Sequence, residues 1–242
     1  MTRPFVRVGH KGAAALAPEN TIASLAAALR HGVDMVEFDV ARTPDGRLVL
    51  AHSPEELEPD ATPLDEALAF LAAEASPAVG IDLDLKVRGV ETDVVQALRG
   101  HGLVARALVS SFFPESLREL RALEPDLATG ISYPWDRRGL SERTLLRPVV
   151  PLGAAALRVA LPLRIGGMVR AAQATAAMLH FSVVSPAAVA RCHALGLIVY
   201  SWTVDERGLL ERMLACGVDG VISNDPRIFD TFGEPMYDPC RR

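Results

Sequence analysis

Short apolar runs rich in β-branched residues alternate with longer helical patterns along the whole chain, and this alternation limits the possible folds more than any other feature. Parallel strands need long crossover connections, so the alternation is typical of a parallel sheet covered by helices. Eight strands are predicted, at residues 5–10, 35–41, 79–86, 107–112, 128–133, 178–184, 198–204 and 220–223. A length of 242 residues matches the roughly 250 residues of a closed eight-stranded barrel. The predicted fold class is α/β, a TIM-like (β/α)8 barrel with a closed parallel sheet, formed by residues 1–242 as one domain.

The helical stretches contain their own start and stop signals. Glu19 and Asn20 are expected to order the first loop and to cap a helix that starts beside Thr21 and ends at Gly32. A second helix is predicted over residues 186–196, with a proline at its first position and a glycine at its end. No low-complexity segment or hydrophilic break divides the chain, which agrees with one domain.

The composition excludes some classes of partner. A formal charge of −5 and an isoelectric point near 5.7 argue against binding along a nucleic-acid backbone, because such binding depends on Lys and Arg side chains that neutralise phosphates. The three cysteines lie far apart in the sequence, so neither a disulfide framework nor a zinc site is predicted. The amino terminus lacks the apolar segment of a secretory leader, and a cytoplasmic location is therefore expected.

The most membrane-like part of the sequence runs from residue 145 to residue 169. It is interrupted by Arg147, Arg158 and Arg164 and by three prolines, which are costly or disruptive in a spanning helix. We predict one long or broken helix over residues 141–173 that is buried or covers the surface, with a lipid-facing patch as the alternative. No stable membrane insertion is expected.

Acidic side chains recur at every second position of two neighbouring predicted strands. Glu37 and Asp39 share one face of the first strand, and Asp82, Asp84 and Lys86 share one face of the next. Several carboxylates in a poorly solvated site need a compensating positive charge. A hard divalent cation such as Mg²⁺ or Ca²⁺ would supply it through oxygen ligands. The alternative is an ion-pair network around Lys86 inside the barrel, without a metal.

Two histidines are placed near these carboxylates. His10 ends the first predicted strand, and His52 follows the apolar run at residues 48–51, so both are expected at the same rim of the barrel. Imidazole groups transfer protons near neutral pH, and a pair of them suits acid and base catalysis. The role of His180 is left open, and three histidines on helical stretches are interpreted as solvated, namely His31, His101 and His193.

These residues lie in motifs that are shared with a known family. The runs VGHKG, PENT, GVDMVEFDV and DGRLVLAH resemble the opening of the glycerophosphodiester phosphodiesterases. Farther along the chain PLDEAL, DLK, SSF, WTVD and GVDGVISNDP resemble later segments of that family in the expected order. The resemblance spans nearly the whole chain.

The resemblance implies roles for individual side chains. Glu37, Asp39 and Asp84 would be the metal ligands, and His10 and His52 would be the acid and base pair.

It also implies contacts with the substrate. Lys11 would occupy the place of the family's phosphate-binding arginine, and Lys86 would lie near the phosphate as the family's conserved lysine does. Trp202 and Phe112 would border the substrate pocket, with packing inside the barrel as the alternative role for both.

The chain departs from the family pattern at four points. Lys11 replaces an arginine and loses the planar fork that binds two phosphate oxygens. Asp84 replaces a glutamate and shortens that ligand by one methylene, while Ser53 replaces an aspartate. Only ten residues separate His52 from Pro63, so the family's capping insertion is predicted to be shortened or absent, which leaves a more open site.

The function that the resemblance implies is the metal-dependent hydrolysis of glycerophosphodiesters, small-molecule substrates of glycerol and lipid metabolism, to sn-glycerol 3-phosphate and an alcohol. Two alternatives stay open. One is a lipid-directed phosphodiesterase of phospholipase D type on the same barrel, and the other is a catalytically weakened barrel that binds a phosphorylated ligand. The sequence makes no prediction of the oligomeric state.

Overall fold

Eight parallel strands close into a barrel in the computed structural model, which describes residues 5–135 and 150–232. The strands in chain order are β1 (Val6–Gly9), β2 (Met35–Arg42), β3 (Leu48–Leu50), β4 (Gly80–Leu85), β5 (Ala107–Ser111), β6 (Ala128–Tyr133), β7 (Ala176–His180), β8 (Ile198–Trp202) and β9 (Gly220–Ser223). Strand β1 pairs with both β2 and β9, which closes the sheet, and β3 pairs antiparallel to β2 outside the barrel. The predicted (β/α)8 barrel is confirmed.

Seven helices cover the outside of the described barrel. They are α1 (Ile22–Arg30), α2 (Leu64–Glu74), α3 (Glu91–Gly100), α4 (Pro114–Leu123), α5 (Val150–Ala172), α6 (Pro186–Ala194) and α7 (Arg207–Cys216). A 3-10 segment, Pro226–Phe232, follows β9 in the place of an eighth helix. The predicted helix over residues 186–196 is confirmed as α6, which starts after the cap residue Ser185.

One predicted strand is displaced in the structure, and one observed strand was not predicted. The strand predicted at 178–184 lies at Ala176–His180, and residues Phe181–Val183 form a 3-10 turn. Alanines have low strand propensity, so the sequence pattern placed the strand on the Val-rich residues that follow it. Strand β3 was not predicted, because a run of three residues is too short to show a period.

The first helix is capped by a different residue from the predicted one. Thr21 is the N-cap, and its hydroxyl accepts a hydrogen bond from the backbone N–H of Ser24. Asn20 instead has a left-handed backbone, with φ of 58°, and its side chain bonds to Asp39. The prediction that Asn20 caps the helix is therefore wrong, because Asn is as suitable for a left-handed turn as for a cap.

The segment that follows β3 is short, as predicted. Residues 53–62 contain a single 3-10 turn, Pro54–Glu56, before α2 begins. The family's capping insertion is thus reduced to a short loop, and no helix of that segment covers the mouth of the barrel.

The helix predicted over residues 141–173 is observed as the continuous helix α5, which contains Pro162. Residues 141–149 of that prediction lie outside the described residues. Among the helices of the described residues, none is long and apolar enough to cross a membrane.

Alternate side chains of the barrel strands fill two different environments. On β2, Val36, Phe38 and Val40 point outward into the main core beneath the helices, whereas Glu37 and Asp39 point into the barrel. The lower interior is apolar, and it is filled by Val8, Met35, Leu108, Ala176, Met178, Tyr200 and Ile222. The acidic side chains therefore lie above an apolar floor, at the end of the barrel where the strands have their carboxyl termini.

A matched pair of leucine variants tests this packing. Leu83 on β4 is fully buried, whereas Leu163 on α5 is 90% exposed. We expect Leu83→Ala to lower the free energy of unfolding by roughly 2–5 kcal/mol, because it leaves a cavity in the core. Leu163→Ala should change it by less than about 0.5 kcal/mol. Urea unfolding followed by circular dichroism measures both, and equal losses in the two variants would contradict the assigned packing.

Candidate active site

Three carboxylates converge at the mouth of the barrel. Glu37 and Asp39 come from β2 and Asp84 comes from β4, and the strand register sets Asp39 beside Asp84. One oxygen of each carboxylate lies within 4.8 Å of an oxygen of the other two. The structure thus brings together the three predicted ligands of a metal ion.

Two lysines contact this group of carboxylates. Lys86 Nζ lies 2.8 Å from Asp39 Oδ1 and 2.5 Å from Asp84 Oδ2, and Lys11 Nζ lies 3.8 Å from Asp39 Oδ2. Burial would raise the pKa of Asp39, but the charge of Lys86 and the hydrogen bond with His52 outweigh it and hold that pKa well below its usual value. Burial lowers the pKa of Lys86, but Asp84 and Asp39 outweigh it, so the net shift is upward.

The lysines do not neutralise all of the acidic charge. Burial, followed by the negative charge of Asp39, raises the pKa of Glu37 well above its usual value. Asp84 Oδ1 is buried and makes no hydrogen bond among the described residues. Clustered carboxylate oxygens of this kind suit a hard divalent cation. The residues therefore fit a metal ion, and Lys86 forms part of the same cluster.

Asp82 lies one layer deeper than this group. It pairs in register with Glu37 and is fully buried, but it is not among the three residues whose oxygens converge. Burial, followed by the charge of Asp84, raises the pKa of Asp82 well above its usual value. Asp82 therefore lies beneath the site, where its ionised form is disfavoured.

His10 is oriented by residues from the last strands of the barrel. Asn224 donates from Nδ2 to Asp205 Oδ2 at 2.7 Å, so its Oδ1 faces His10 Nδ1 at 2.7 Å. Nδ1 must then carry the proton, which leaves Nε2 as an acceptor, 3.8 Å from Glu37 Oε2. Burial lowers the pKa of His10 below its ordinary value, although Asp39 and Asn224 act in the opposite direction. Asn224 therefore fixes the rotation of the His10 ring.

His52 is held by a carboxylate of the same group. Its Nδ1 lies 3.1 Å from Asp39 Oδ2, and its side chain is 46% exposed. Asn20 also bonds to Asp39, donating from Nδ2 to Oδ2 and accepting the backbone N–H of Asp39. Both predicted catalytic imidazoles therefore contact the carboxylate cluster, one from a half-buried position and one from a more exposed position.

The loop that contains Lys11 is shaped by its backbone. Lys11 and Gly12 both have positive φ angles, of 49° and 79°, which turns the backbone N–H of Lys11 toward Glu37 Oε2 at 2.7 Å. Its ammonium donates to Glu19 Oε1 at 2.9 Å. Glu19 thus orders the first loop, as predicted, and it does so through Lys11.

Aromatic rings line the opposite half of the mouth, after strands β5 to β8. Phe112 stacks on Trp135 and meets Trp202 edge-on, with 6.1 Å between ring centroids in each pair. Phe113 meets Trp135 edge-on at 5.1 Å. The ring centroids of His180 and Trp202 lie 5.0 Å apart. Burial lowers the pKa of His180 below its ordinary value. The two predicted pocket residues thus belong to a continuous aromatic wall.

Three of the residues around the site were not predicted to belong to it. They are Asn20, Asn224 and Trp135. Asn224 directly follows β9, and a polar residue at the carboxyl end of a barrel strand is the signal that would have indicated it. Of the other histidines, His101 and His193 each contact one carboxylate, of Asp65 and of Asp219, on the outside of the barrel.

Comparison with known proteins identifies relatives of the chain. A model of the glycerophosphoryl diester phosphodiesterase family matches residues 10–63 and 81–228. A glycerophosphodiester phosphodiesterase from Caldanaerobacter subterraneus subsp. tengcongensis is 27% identical over 258 aligned positions, which cover 90% of this chain and 93% of that protein.

Solved structures share the fold. A glycerophosphodiester phosphodiesterase from Parabacteroides distasonis superposes with a TM-score of 0.73 at 20% identity and covers 95% of this chain and 98% of its own. A phosphodiesterase from Oleispira antarctica, solved in complex with the product sn-glycerol-3-phosphate, superposes with a TM-score of 0.70 at 23% identity and covers 95% and 96% of the two chains.

The orientation of His10 can be tested directly by nuclear magnetic resonance. We expect the ring nitrogen shifts of neutral His10 to show the proton on Nδ1, because Asn224 accepts it, and we expect Asn224→Ala to move the proton toward Nε2. Asp65→Asn is the matched control, since it should alter only His101. A wild-type spectrum with the proton on Nε2 would contradict the described orientation.

Proposed function

The chain belongs to the glycerophosphoryl diester phosphodiesterase family, and from this membership we propose that it hydrolyses glycerophosphodiesters to sn-glycerol 3-phosphate and an alcohol at the mouth of the barrel. One observation supports the proposal most strongly. Two imidazoles, His10 and His52, contact a single carboxylate cluster from different directions. A phosphate bound at the cluster would therefore have a proton acceptor and a proton donor beside it.

We propose that Glu37, Asp39 and Asp84 hold a divalent cation, Mg²⁺ or Ca²⁺. The geometry of the site supports this assignment, because one oxygen of each carboxylate lies within 4.8 Å of an oxygen of the other two, and clustered carboxylate oxygens suit a hard divalent cation. When bound, the cation would stabilise negative charge on the phosphate oxygens.

Lys11 and Lys86 are proposed to bind the phosphate. Both ammonium groups lie within 4 Å of Asp39, so both can reach a phosphate beside that carboxylate. An ammonium is a point charge and lacks the two-pronged geometry of a guanidinium. Lys11 therefore attracts the phosphate without fixing its rotation, and the aromatic wall is left to orient the substrate.

The two histidines are proposed to transfer the protons. One imidazole removes a proton from the attacking hydroxyl, which belongs to water or to the neighbouring glycerol carbon, and the other protonates the leaving alkoxide. If the glycerol hydroxyl attacks, a cyclic phosphate forms first, and water then hydrolyses it to sn-glycerol 3-phosphate. Asn224 and Asp39 fix the rotation of the two rings through their Nδ1 atoms. In each ring Nε2 is left to make the transfer.

Phe112 and Trp202 are proposed to contact the organic part of the substrate. They face the mouth from β5 and β8, on the side of the barrel opposite the carboxylates. The loop over residues 53–62 contains only a single 3-10 turn. Assays with two substrates distinguish the three candidate functions. Turnover of glycerophosphocholine with little turnover of lysophosphatidylcholine would favour the hydrolysis of glycerophosphodiesters over a lipid-directed phosphodiesterase. No turnover of either substrate would favour a barrel that only binds a phosphorylated ligand.

Substitution of the histidines tests the proton transfers. We expect His10→Ala and His52→Ala each to lower kcat on glycerophosphocholine by roughly 100- to 10,000-fold, since each removes one proton-transfer group. The control is His101→Ala, which removes an imidazole outside the barrel and should retain wild-type rates. Circular dichroism should show an intact fold in all three variants. A His10→Ala enzyme with the wild-type rate would refute the assignment.

Substitution of the acidic residues tests the metal site. Removal of a residue that only hydrogen-bonds to a metal ligand lowers metal affinity roughly 10- to 100-fold. Glu37→Gln and Asp84→Asn would remove ligands themselves, so we expect each to weaken the binding of Ca²⁺ or Mg²⁺ by more than this. Asp82→Asn is the matched control, because Asp82 lies below the cluster and is not among the residues whose oxygens converge. Isothermal titration calorimetry measures the affinities, and chelation with EDTA should abolish turnover. Equal effects of all three substitutions would contradict the ligand assignment.

A further inference from the structure

Helix α5 presents large apolar side chains to solvent. Val159 is 79% exposed and Leu163 is 90% exposed, and because they are four residues apart they project from the same side of the helix. The opposite side is apolar as well, since Leu161 and Ile165 are fully buried against the barrel. A helix that is apolar all round is expected only where both sides are covered.

Arginines surround this exposed face without acidic partners. Arg164 and Arg170 belong to α5, and Arg191 belongs to α6. A Cβ atom built on Gly166 would lie 3.6 Å from Arg170 Nη1 and 3.5 Å from Arg191 Nη2, so these two guanidinium groups are close neighbours. In the part of the chain that the structure describes, none of the three guanidiniums has a carboxylate within 4 Å.

Several other arginines of the surface are paired. Carboxylates lie within 4 Å of the guanidiniums of Arg42, Arg47, Arg99 and Arg227. The sequence is also uneven in charge, because residues 143–204 contain six arginines and no aspartate or glutamate. The rest of the chain has 19 basic and 30 acidic side chains. Arginines without acidic neighbours in the sequence are therefore concentrated in the segment that contains α5 and α6.

We propose that the exposed face of α5, defined by Val159, Leu163, Arg164 and Arg170 together with Arg191 of α6, docks on an anionic phospholipid surface. Apolar side chains that enter the headgroup region and arginines that reach lipid phosphates are the two attractions by which surface helices bind membranes. The occupant is a lipid surface and not a second copy of the chain, because two such faces would set unpaired guanidiniums against each other. A nucleic acid would leave Val159 and Leu163 uncovered.

Vesicle co-sedimentation tests the docking surface. Wild-type protein should bind vesicles of phosphatidylcholine mixed with phosphatidylglycerol, should bind pure phosphatidylcholine much more weakly, and should be released by salt. Arg170→Gln is expected to lower the partition coefficient about fivefold, because one cationic contact is lost. Leu163→Gln should lower it roughly tenfold, since a buried apolar side chain is lost. The matched controls are Arg30→Gln on α1 and Ile198→Gln at the start of β8, which should bind as the wild type does.

Several outcomes would overturn the inference. They are equal binding to both kinds of vesicle, wild-type binding by Arg170→Gln and Leu163→Gln, or losses in the controls as large as in these variants. A wild-type dimer in sedimentation velocity that Leu163→Gln converts to a monomer would assign the face to a second copy instead.

The inference does not depend on the proposed hydrolysis. Turnover of soluble glycerophosphocholine, measured in the same samples, should be unchanged in all four variants, so failure of either proposal is recognised separately.

Discussion

The repulsion between carboxylates that β2 and β4 place side by side is the constraint on which the site depends. The strand register fixes Asp39 next to Asp84, and an apolar floor lies below them, which reduces the solvation of their charges. Neighbouring polar groups offset the repulsion. Lys86 bridges two of the carboxylates, and Asn20 and His52 bond to Asp39.

The barrel separates two kinds of surface around one opening. Strands β1, β2 and β4 supply the charged residues, and the ends of β5 to β8 supply aromatic rings. A phosphodiester has a comparable division, since its negatively charged phosphate is flanked by two organic substituents. The arrangement follows from parallel strands whose carboxyl ends all meet at one rim, where each strand can contribute a different side chain without disturbing the packed interior.

Sequence reasoning succeeded where the relevant information was local. The two-residue period of Glu37 and Asp39 predicted that both point into the barrel, and alternating strand and helix patterns predicted the closed sheet. Sequence reasoning failed where two interacting residues lie far apart in the sequence. His10 and Asn224 are 214 residues apart, and no local pattern relates them. Asn20 shows a second kind of failure, because its position beside a helix suited a cap equally well and only the folded structure brings Asp39 within its reach.

The bond between His10 and Asn224 makes the orientation of the His10 ring depend on closure of the barrel. The two residues are 214 positions apart, and they meet because β9 pairs with β1. A defect that opened the sheet at this seam would therefore leave Nδ1 of His10 without its acceptor, even if every other strand kept its place. The position of the proton on this imidazole is thus a property of the completed circle of strands.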